Sequence, residues 1–410
     1  MLTAAPGTLW YSLAWGTIAG LAGAVVPTLL LAPDPLSRAI PDFRRCLTFA
    51  ALFEIMQHAN KASGERIVMK RCRVVLLPVL LLWSVAGAEV VGAKYAGEFM
   101  AIGVGGRALA MGGASVAVVN DVTAGYWNPA ALARIEYPQL ILMHDEQFGS
   151  LANHDYGAVA LPFGKNASLG LSVIRLGVDD IAETRYAGVD INGNPTNDIN
   201  QFSRVDPNRV TYFNAADWAV YFTYAKRHTD DFFYGANLKV IRRDVGDYGA
   251  WGVGFDVGAW YAPVPDLSLG VNIQDITTTL LAWDTGRNEL IRPTVKLGSA
   301  YALHALSGRF LPTVDVDVRF ENRQSASMVH VGPVSADFHA GLEYQFKELF
   351  ALRVGYSDVK QLTLGAGLHL PKINIDYSFV KFDARDQLGN THRVSLIFTL
   401  ESDRYQRSND

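Results

Sequence analysis

The chain has 410 residues, half of them apolar and 11% aromatic, but only 19% are charged. Soluble proteins average about 25% charged residues, so the shortfall leaves a large enzyme or a membrane β-barrel as the main options. A net charge of -4 gives no basic surplus for coating nucleic acid, and two cysteines exclude a disulfide scaffold or a cysteine-rich metal centre.

A helical membrane protein needs several apolar runs of about 20 residues. None follows Leu82. Before it, Leu9 to Leu31 is long enough to span a bilayer, though Pro27 interrupts it. The next apolar stretch has the parts of a secretory signal. Met69-Lys70-Arg71-Cys72-Arg73 is a positive n-region, Val74 to Val85 an apolar h-region, and Ala86-Gly87-Ala88 a small-residue cleavage site. Such a signal belongs at a start codon. Residues 69–88 are therefore expected to be the signal peptide and 1–68 an over-extended N-terminus, the alternative being a signal anchor over Leu9–Leu31. Cys46 and Cys72 both precede Ala88, so the exported chain is expected to hold no cysteine.

Residues 89–136 are rich in glycine and alanine. Gly103-Val104-Gly105 looks like a fragment of a dinucleotide fingerprint, but that motif belongs inside a βαβ unit, and here the preceding residues come straight from the signal peptide and nothing parallel follows. Small residues instead suit a compact segment in a narrow space, where backbone must approach backbone. Asn128-Pro129 marks a turn. The string Gly105, Gly106, Arg107, then Met111, Gly112, Gly113, followed by Asp121 and by Tyr126-Trp127-Asn128-Pro129-Ala130, resembles the N-terminal signature of the PorV/PorQ family. Those outer-membrane proteins are similar to the FadL long-chain fatty-acid transporters. Asn120 and Ala131 depart from the family pattern. The resemblance implies that the segment folds as a hatch inside a barrel lumen.

From Tyr137 the chain alternates with period two. Ala336, Phe338, Ala340, Leu342, Tyr344 and Phe346 lie on one face, against Asp337, His339, Gly341, Glu343 and Gln345 on the other. About fourteen such segments are predicted, centred on 137–148, 154–163, 167–176, 216–226, 232–243, 251–261, 267–276, 292–303, 309–320, 334–346, 349–357, 361–370, 372–383 and 390–400. Most have the length a tilted strand needs to cross hydrocarbon, about 9–11 residues. In the third, apolar parity slips near Ile174.

Every second connection is short, from Gly164-Lys165-Asn166 to Pro371, and the others include the long ones, above all Gly177 to Ala215. Short turns on one side and longer loops on the other is the pattern of an outer-membrane barrel. Aromatic residues gather near strand ends: Trp218, Trp251, Phe320 and Tyr356 at one, Tyr224, Tyr261, Tyr301, Tyr344 and Phe346 at the other, as bilayer interfaces favour. A soluble sandwich also alternates, but its strands usually run only about five or six residues. The expected architecture is an all-β, transmembrane antiparallel barrel over 137–400, with a glycine-rich hatch over 89–136 and a tail over 401–410, in the outer membrane of a Gram-negative-type bacterium.

By parity the lumen receives Asp256, Asp315, Asp317, Arg319, Asp337, His339, Glu343, Arg353, Asp376 and Arg393. Asp315-x-Asp317 shares a face and fits half a metal site, but the nearby arginines favour a charge network that braces the lumen or holds the plug. His339 and His369 point inward and His392 outward, with no serine obviously beside it, so no catalytic constellation is assigned. No metal or cofactor is expected. The segment Asn192 to Asp198 lies in the longest loop, which either caps the barrel or is merely solvated.

The function expected from the resemblance is passive transport of hydrophobic small molecules. Because a hatch blocks the lumen, ligand would need a hatch movement or a side opening, and strand three is the candidate where its alternation breaks. The alternative is a type IX secretion component that binds exported proteins. Partners would then be outer-membrane lipid, a hydrophobic ligand, or secretion-system proteins, and not nucleic acid.

Overall fold

The computed structural model describes residues 96–147, 151–198, 200–321, 323, 326–380 and 390–407. The expected N-terminal extension, the signal peptide and the first residues of the hatch lie outside them.

Fourteen antiparallel strands close into one barrel. They are β1 (Gln139–Gln147), β2 (Ala152–Phe163), β3 (Ala167–Glu183), β4 (Thr211–Arg227), β5 (Phe232–Val245), β6 (Tyr248–Val264) and β7 (Leu267–Gln274). Then follow β8 (Thr294–Tyr301), β9 (Gly308–Arg319), β10 (Val334–Phe346), β11 (Phe350–Tyr356), β12 (Leu362–His369), β13 (Ile373–Val380) and β14 (Thr391–Thr399). Each pairs with its sequence neighbour, and β14 closes the ring on β1 from Gln139↔Thr399 to Glu146↔His392. Closure matters because lipid offers no partner for an open strand edge.

Side-chain alternation follows the pleat. In β4, Phe222 and Tyr224 are exposed on the outer face while Tyr221, Thr223 and Ala225 are buried inside. The same holds for Leu169 and Leu171 in β3 and for Phe338 and Leu342 in β10, all exposed outward. The apolar content of the chain thus clothes the barrel as well as its core. No described helix is long and apolar enough to cross a membrane.

Two features differ from the sequence-based expectation. The parity slip near Ile174 produces no gap. The β2–β3 ladder runs unbroken from Phe163↔Ala167 to Asn153↔Gly177, and the β3–β4 ladder from Ala167↔Lys226 to Val178↔Ala215. Ile174 is fully buried and faces the hatch side of the wall, in the cluster with Tyr126 and Trp127. The apolar residue changes face because the hatch supplies an apolar neighbour inside, not because the backbone slips. The irregularity of β3 falls later, between Val178 and Ile181, with Asp180 at φ 56°. The longest loop is also shorter than expected. β3 and β4 each run 17 residues and extend as a hairpin beyond the barrel body, carrying a small pairing of Gly188–Val189 with Arg204–Val205.

Residues 96–135 fill the lumen with three short helices, α1 (Glu98–Ala101), α2 (Gly106–Ala110) and α3 (Ala124–Trp127), and a 3-10 turn, Pro129–Arg134. Asn128-Pro129 turns the chain as expected, Asn128 O accepting from Ala131 N at 3.0 Å, and the Asn128 side-chain oxygen caps the 3-10 segment by accepting from Ala130 N. The tail passes under the short-turn end. There Arg407 is buried, donating to Ile135 O, Lys165 O, Ala167 O and Ser168 Oγ.

Candidate functional site

The hatch is held against the inner wall by contacts of two kinds. Its helices are too short to satisfy its own backbone, and a buried N–H or C=O left unpaired is costly. Wall side chains supply the partners. Asp315 Oδ2 accepts from Ser115 N at 2.6 Å and Val116 N at 2.8 Å. Ser395 Oγ accepts from Gly106 N, and Thr363 Oγ1 donates to Ala110 O. Asn237 donates to Gly125 O, Asn272 to Trp127 O, and Trp260 Nε1 to Ala117 O. His339 Nδ1 lies 2.7 Å from Gly112 O. The inward polar residues of the strands therefore read the backbone of the plug.

Close packing needs the small residues. Gly112 has φ 67°, and a Cβ there would come to 2.5 Å of Tyr356 O. Directly across, a Cβ on Gly355 would overlap Gly112 N and Met111 C. On another side of the lumen, a Cβ on Gly235 would lie 2.6 Å from Pro129 C. Glycine on both hatch and wall lets two backbones touch.

The second kind of contact is ionic. Arg107 Nε and Nη2 each lie 2.9 Å from the Glu343 carboxylate, and Arg107 Nη1 donates to Asn120 Oδ1 at 2.7 Å. Glu343 also accepts from Arg353 Nε at 2.7 Å, and Arg353 Nη1 reaches Asp376 at 2.6 Å. One carboxylate thus joins the hatch to the wall network.

Of the hatch motif, Gly106, Arg107 and Gly112 touch the wall directly, Met111 is buried against Gly341, and Asn128 Nδ2 donates to Ala259 O. Trp127 Nε1 donates to Val104 O within the hatch. Gly105 donates its N–H to Met143 S, Gly113 sits against His339, and Pro129 against Gly235 and Gly258. Among the described residues Asp121 bonds locally, accepting from Thr123 N and Oγ1.

The ten lumen charges are all on the inner face; nine meet an oppositely charged group, and Asp315 meets hatch backbone. Asp315 and Asp317 do not converge on one point: Asp315 holds the hatch, while Asp317 pairs with Lys296 and Arg319. Arg319 also reaches Asp337 at 2.8 Å. Arg393 bonds Asp145 Oδ2 at 2.7 Å, and Asp256 receives Lys239 Nζ at 3.1 Å. No group of three potential metal-binding side chains exists among the described residues. His369 contacts Gln345 and Arg353, whereas His392 faces outward, against Tyr377 OH and the ring of Phe379. Many pairs are direct cross-strand neighbours: Glu343 opposite Arg353, Asp145 opposite Arg393, Asp217 opposite Arg243, Lys296 opposite Asp317.

Sequence reasoning missed Lys239, Asp145, Asp217, Arg243 and Lys296, although their parity matches that of the inward residues on their strands. It also missed Asp275, which parity does not reach. Asp275 follows the end of β7 at φ 52°, takes Lys239 Nζ at 2.7 Å and accepts from Thr279 Oγ1 at 2.5 Å.

Two cavities flank the hatch. One, of about 10 Å³, lies beside Gly105, Met111, Ile141 and Ile397. The other, of about 50 Å³, lies between α1 and the wall at Lys239, Gln274, Asp275 and Lys296. A water molecule needs roughly 10–15 Å³ on this measure, so these spaces suit waters and not a drug-sized ligand. A wide space of about 970 Å³ opens at the short-turn mouth, between Asn120 of the hatch and His304, Arg309 and Lys347. At the opposite end, Asp190 in the β3–β4 loop is exposed, and the backbone N–H of Asn194 holds its carboxyl below the usual carboxylate range.

No family model matches the chain, and no curated protein matches its sequence. Solved structures do resemble it. The CymD monoaromatic hydrocarbon channel aligns with a TM-score of 0.50 at 13% identity, over 73% of this chain and 98% of that one. The Ralstonia pickettii toluene transporter TbuX gives 0.48 at 15%, over 73% and 99%, and a Pseudomonas aeruginosa FadL homologue 0.47 at 12%, over 73% and 98%. The likeness is one of fold. It is the fold of a plugged, fourteen-stranded outer-membrane barrel.

Proposed function

We propose that this protein conducts hydrophobic small molecules passively across the outer membrane, and that the structure is its closed state. The observation that carries the reading is the hatch packed across the lumen of an apolar-clad barrel. A plugged lumen offers polar solutes no continuous water path, whereas a lipid-soluble molecule can use the hatch boundary or the wall. The likeness to CymD, described as a monoaromatic hydrocarbon channel, supports the same substrate class. Within this class the hatch string from Gly105 to Pro129 supports a PorV/PorQ-like member. The type IX secretion reading rests on that hatch resemblance alone, with no support from the solved structures that the chain resembles, and we propose no enzymatic activity.

The test is uptake of a hydrophobic fluorescent tracer, N-phenylnaphthylamine, by Gram-negative cells with and without the barrel in their outer membrane. Faster uptake with the barrel is expected. Equal rates reject the transport reading.

A further inference from the structure

We infer that the side portal of this barrel is the break in the wall at residues 275–278, after β7, and not strand three. The inference rests on the transport reading above.

The β6–β7 ladder ends at Val257↔Ile273, and β6 next pairs with the segment Thr279–Trp283 from Leu280↔Val253 onward. Three residues of β6, 254–256, thus face six of its neighbour, 274–279. The other edge of the same strand is broken as well. Gln274 pairs with Thr294, and the following register is Thr279↔Ile291, so 275–278 oppose only 292–293. Asp275 and Thr278 both adopt left-handed φ, 52° and 59°. Across the break the backbone bond from Ile276 N to Phe255 O persists, while Asp275 N turns to a side chain, Asp256 Oδ1.

This lies at membrane depth. Val253, Phe255 and Leu280 around it are exposed on the outer face, one row of pairs or two inside the rim residue Trp251. Irregular backbone is tolerated in hydrocarbon only where it is buried in protein or lines a cavity. The cavity of about 50 Å³ lies directly behind, touching Gln274, Asp275, Ile291, Arg292 and Thr294 on both sides of the break. Its inner wall is α1 of the hatch.

The same segment of hatch is the more lightly held. Residues 105–128 are fastened by the wall side chains described above. Around α1, Ala96 O receives Arg243 Nη1 at 3.3 Å, Glu98 meets Arg323 at 3.1 Å and Met100 O accepts from Tyr126 OH. Withdrawal of α1 would join the cavity to the lumen while the rest of the plug stays seated. The Lys239–Asp256–Asp275 cluster then holds the edges of the opening, with Tyr221 under the ammonium at 5.7 Å.

The test seals the break. Deleting Ile276, Thr277 and Thr278 removes the three-residue surplus against β6 and lets that ladder run through. A second variant, F255C/I276C, is assembled reduced and then oxidised, which closes the same seam in a barrel already folded; residues after Ala88 contain no other cysteine. Heat-modifiable mobility reports that each barrel is folded. In both sealed forms tracer uptake is expected to fall to that of cells lacking the barrel, and reduction of the disulfide restores it. Deletion of Asp179 and Asp180 from the β3 bulge is expected to leave uptake intact. Undiminished uptake through a sealed, folded barrel overturns the portal, as does loss of uptake on the β3 deletion alone. No uptake by the unaltered protein overturns the transport reading itself.

Discussion

Arg107 of the hatch grips Glu343 of β10 with two parallel hydrogen bonds, both 2.9 Å, and the same carboxylate is claimed by Arg353. The plug is therefore tied to Arg353 and, through it, to Asp376 of the wall by one shared anion. Removing one partner of a buried ion pair costs about 3–5 kcal/mol, because the remaining charge is left unmatched. Glu343→Gln keeps the shape but leaves two guanidinium groups around a neutral amide. Hydrogen exchange over residues 106–114 should speed up, with a lower denaturation midpoint. Unchanged exchange there would show that the neutral contacts hold the hatch by themselves.

The contact of Gly112 with Gly355 makes a sharper demand. Gly355→Ala places a methyl group into the backbone of the hatch, and overpacking of a filled site costs about 1–3 kcal/mol. The wall, hydrogen bonded on both sides, yields less readily than the plug. The expected result is a folded barrel with a displaced hatch, read as higher ion conductance in planar bilayers. Gly157→Ala is the control, since the nearest atom to its Cβ is 3.8 Å away. Equal conductance in the two variants would refute the tight seating of the plug.

Arg407 ties the tail to the point where the hatch enters β1. Its guanidinium is buried among carbonyl oxygens, and burial pulls its pKa below the usual arginine value. Arg407→Ala removes the hydrogen bonds of a charged donor to Ile135 O, Ala167 O and Ser168 Oγ, each worth about 1.5–3 kcal/mol. A fall in thermal midpoint is expected, together with earlier protease cleavage near Glu136. Arg404→Ala, at an exposed site in the same tail, should change neither.

What could be read from the sequence divides along physical lines. Period-two alternation is a local property of each strand, so strand number, order and the inward face of residues such as Glu343 and Arg353 were legible. The hatch was legible through its small residues, since Gly106 and Gly112 both allow close approach to the wall and Gly112 also takes a left-handed φ. Pairings were not, because Glu343 meets Arg353 only once register is set, and Arg107 only once the plug is seated. Ile174 misled because parity was judged by polarity, and an apolar residue facing an apolar plug looks like a slip. Asp275 was invisible: it sits in a bulge, where alternation carries no information, and its role depends on Lys239 and Asp256 from two other strands.

The lipid-facing reading of the outer surface is open to a direct contrast in β4. Phe222 is half exposed on the outer face, and Thr223, the next residue, is buried and donates to Asn237. On a soluble protein an arginine at an exposed position is nearly neutral, within about 0.5 kcal/mol. In hydrocarbon the same change costs about 2–4 kcal/mol near the bilayer midplane. Phe222→Arg should therefore weaken folding into lipid vesicles, measured by urea titration, whereas Phe222→Leu should lie close to the parent protein. Thr223→Val should also destabilise, but for the opposite reason, by removing a partner of Asn237 inside the lumen. A neutral Phe222→Arg would mean that this face meets water, and the transmembrane reading of β4 would fall with it.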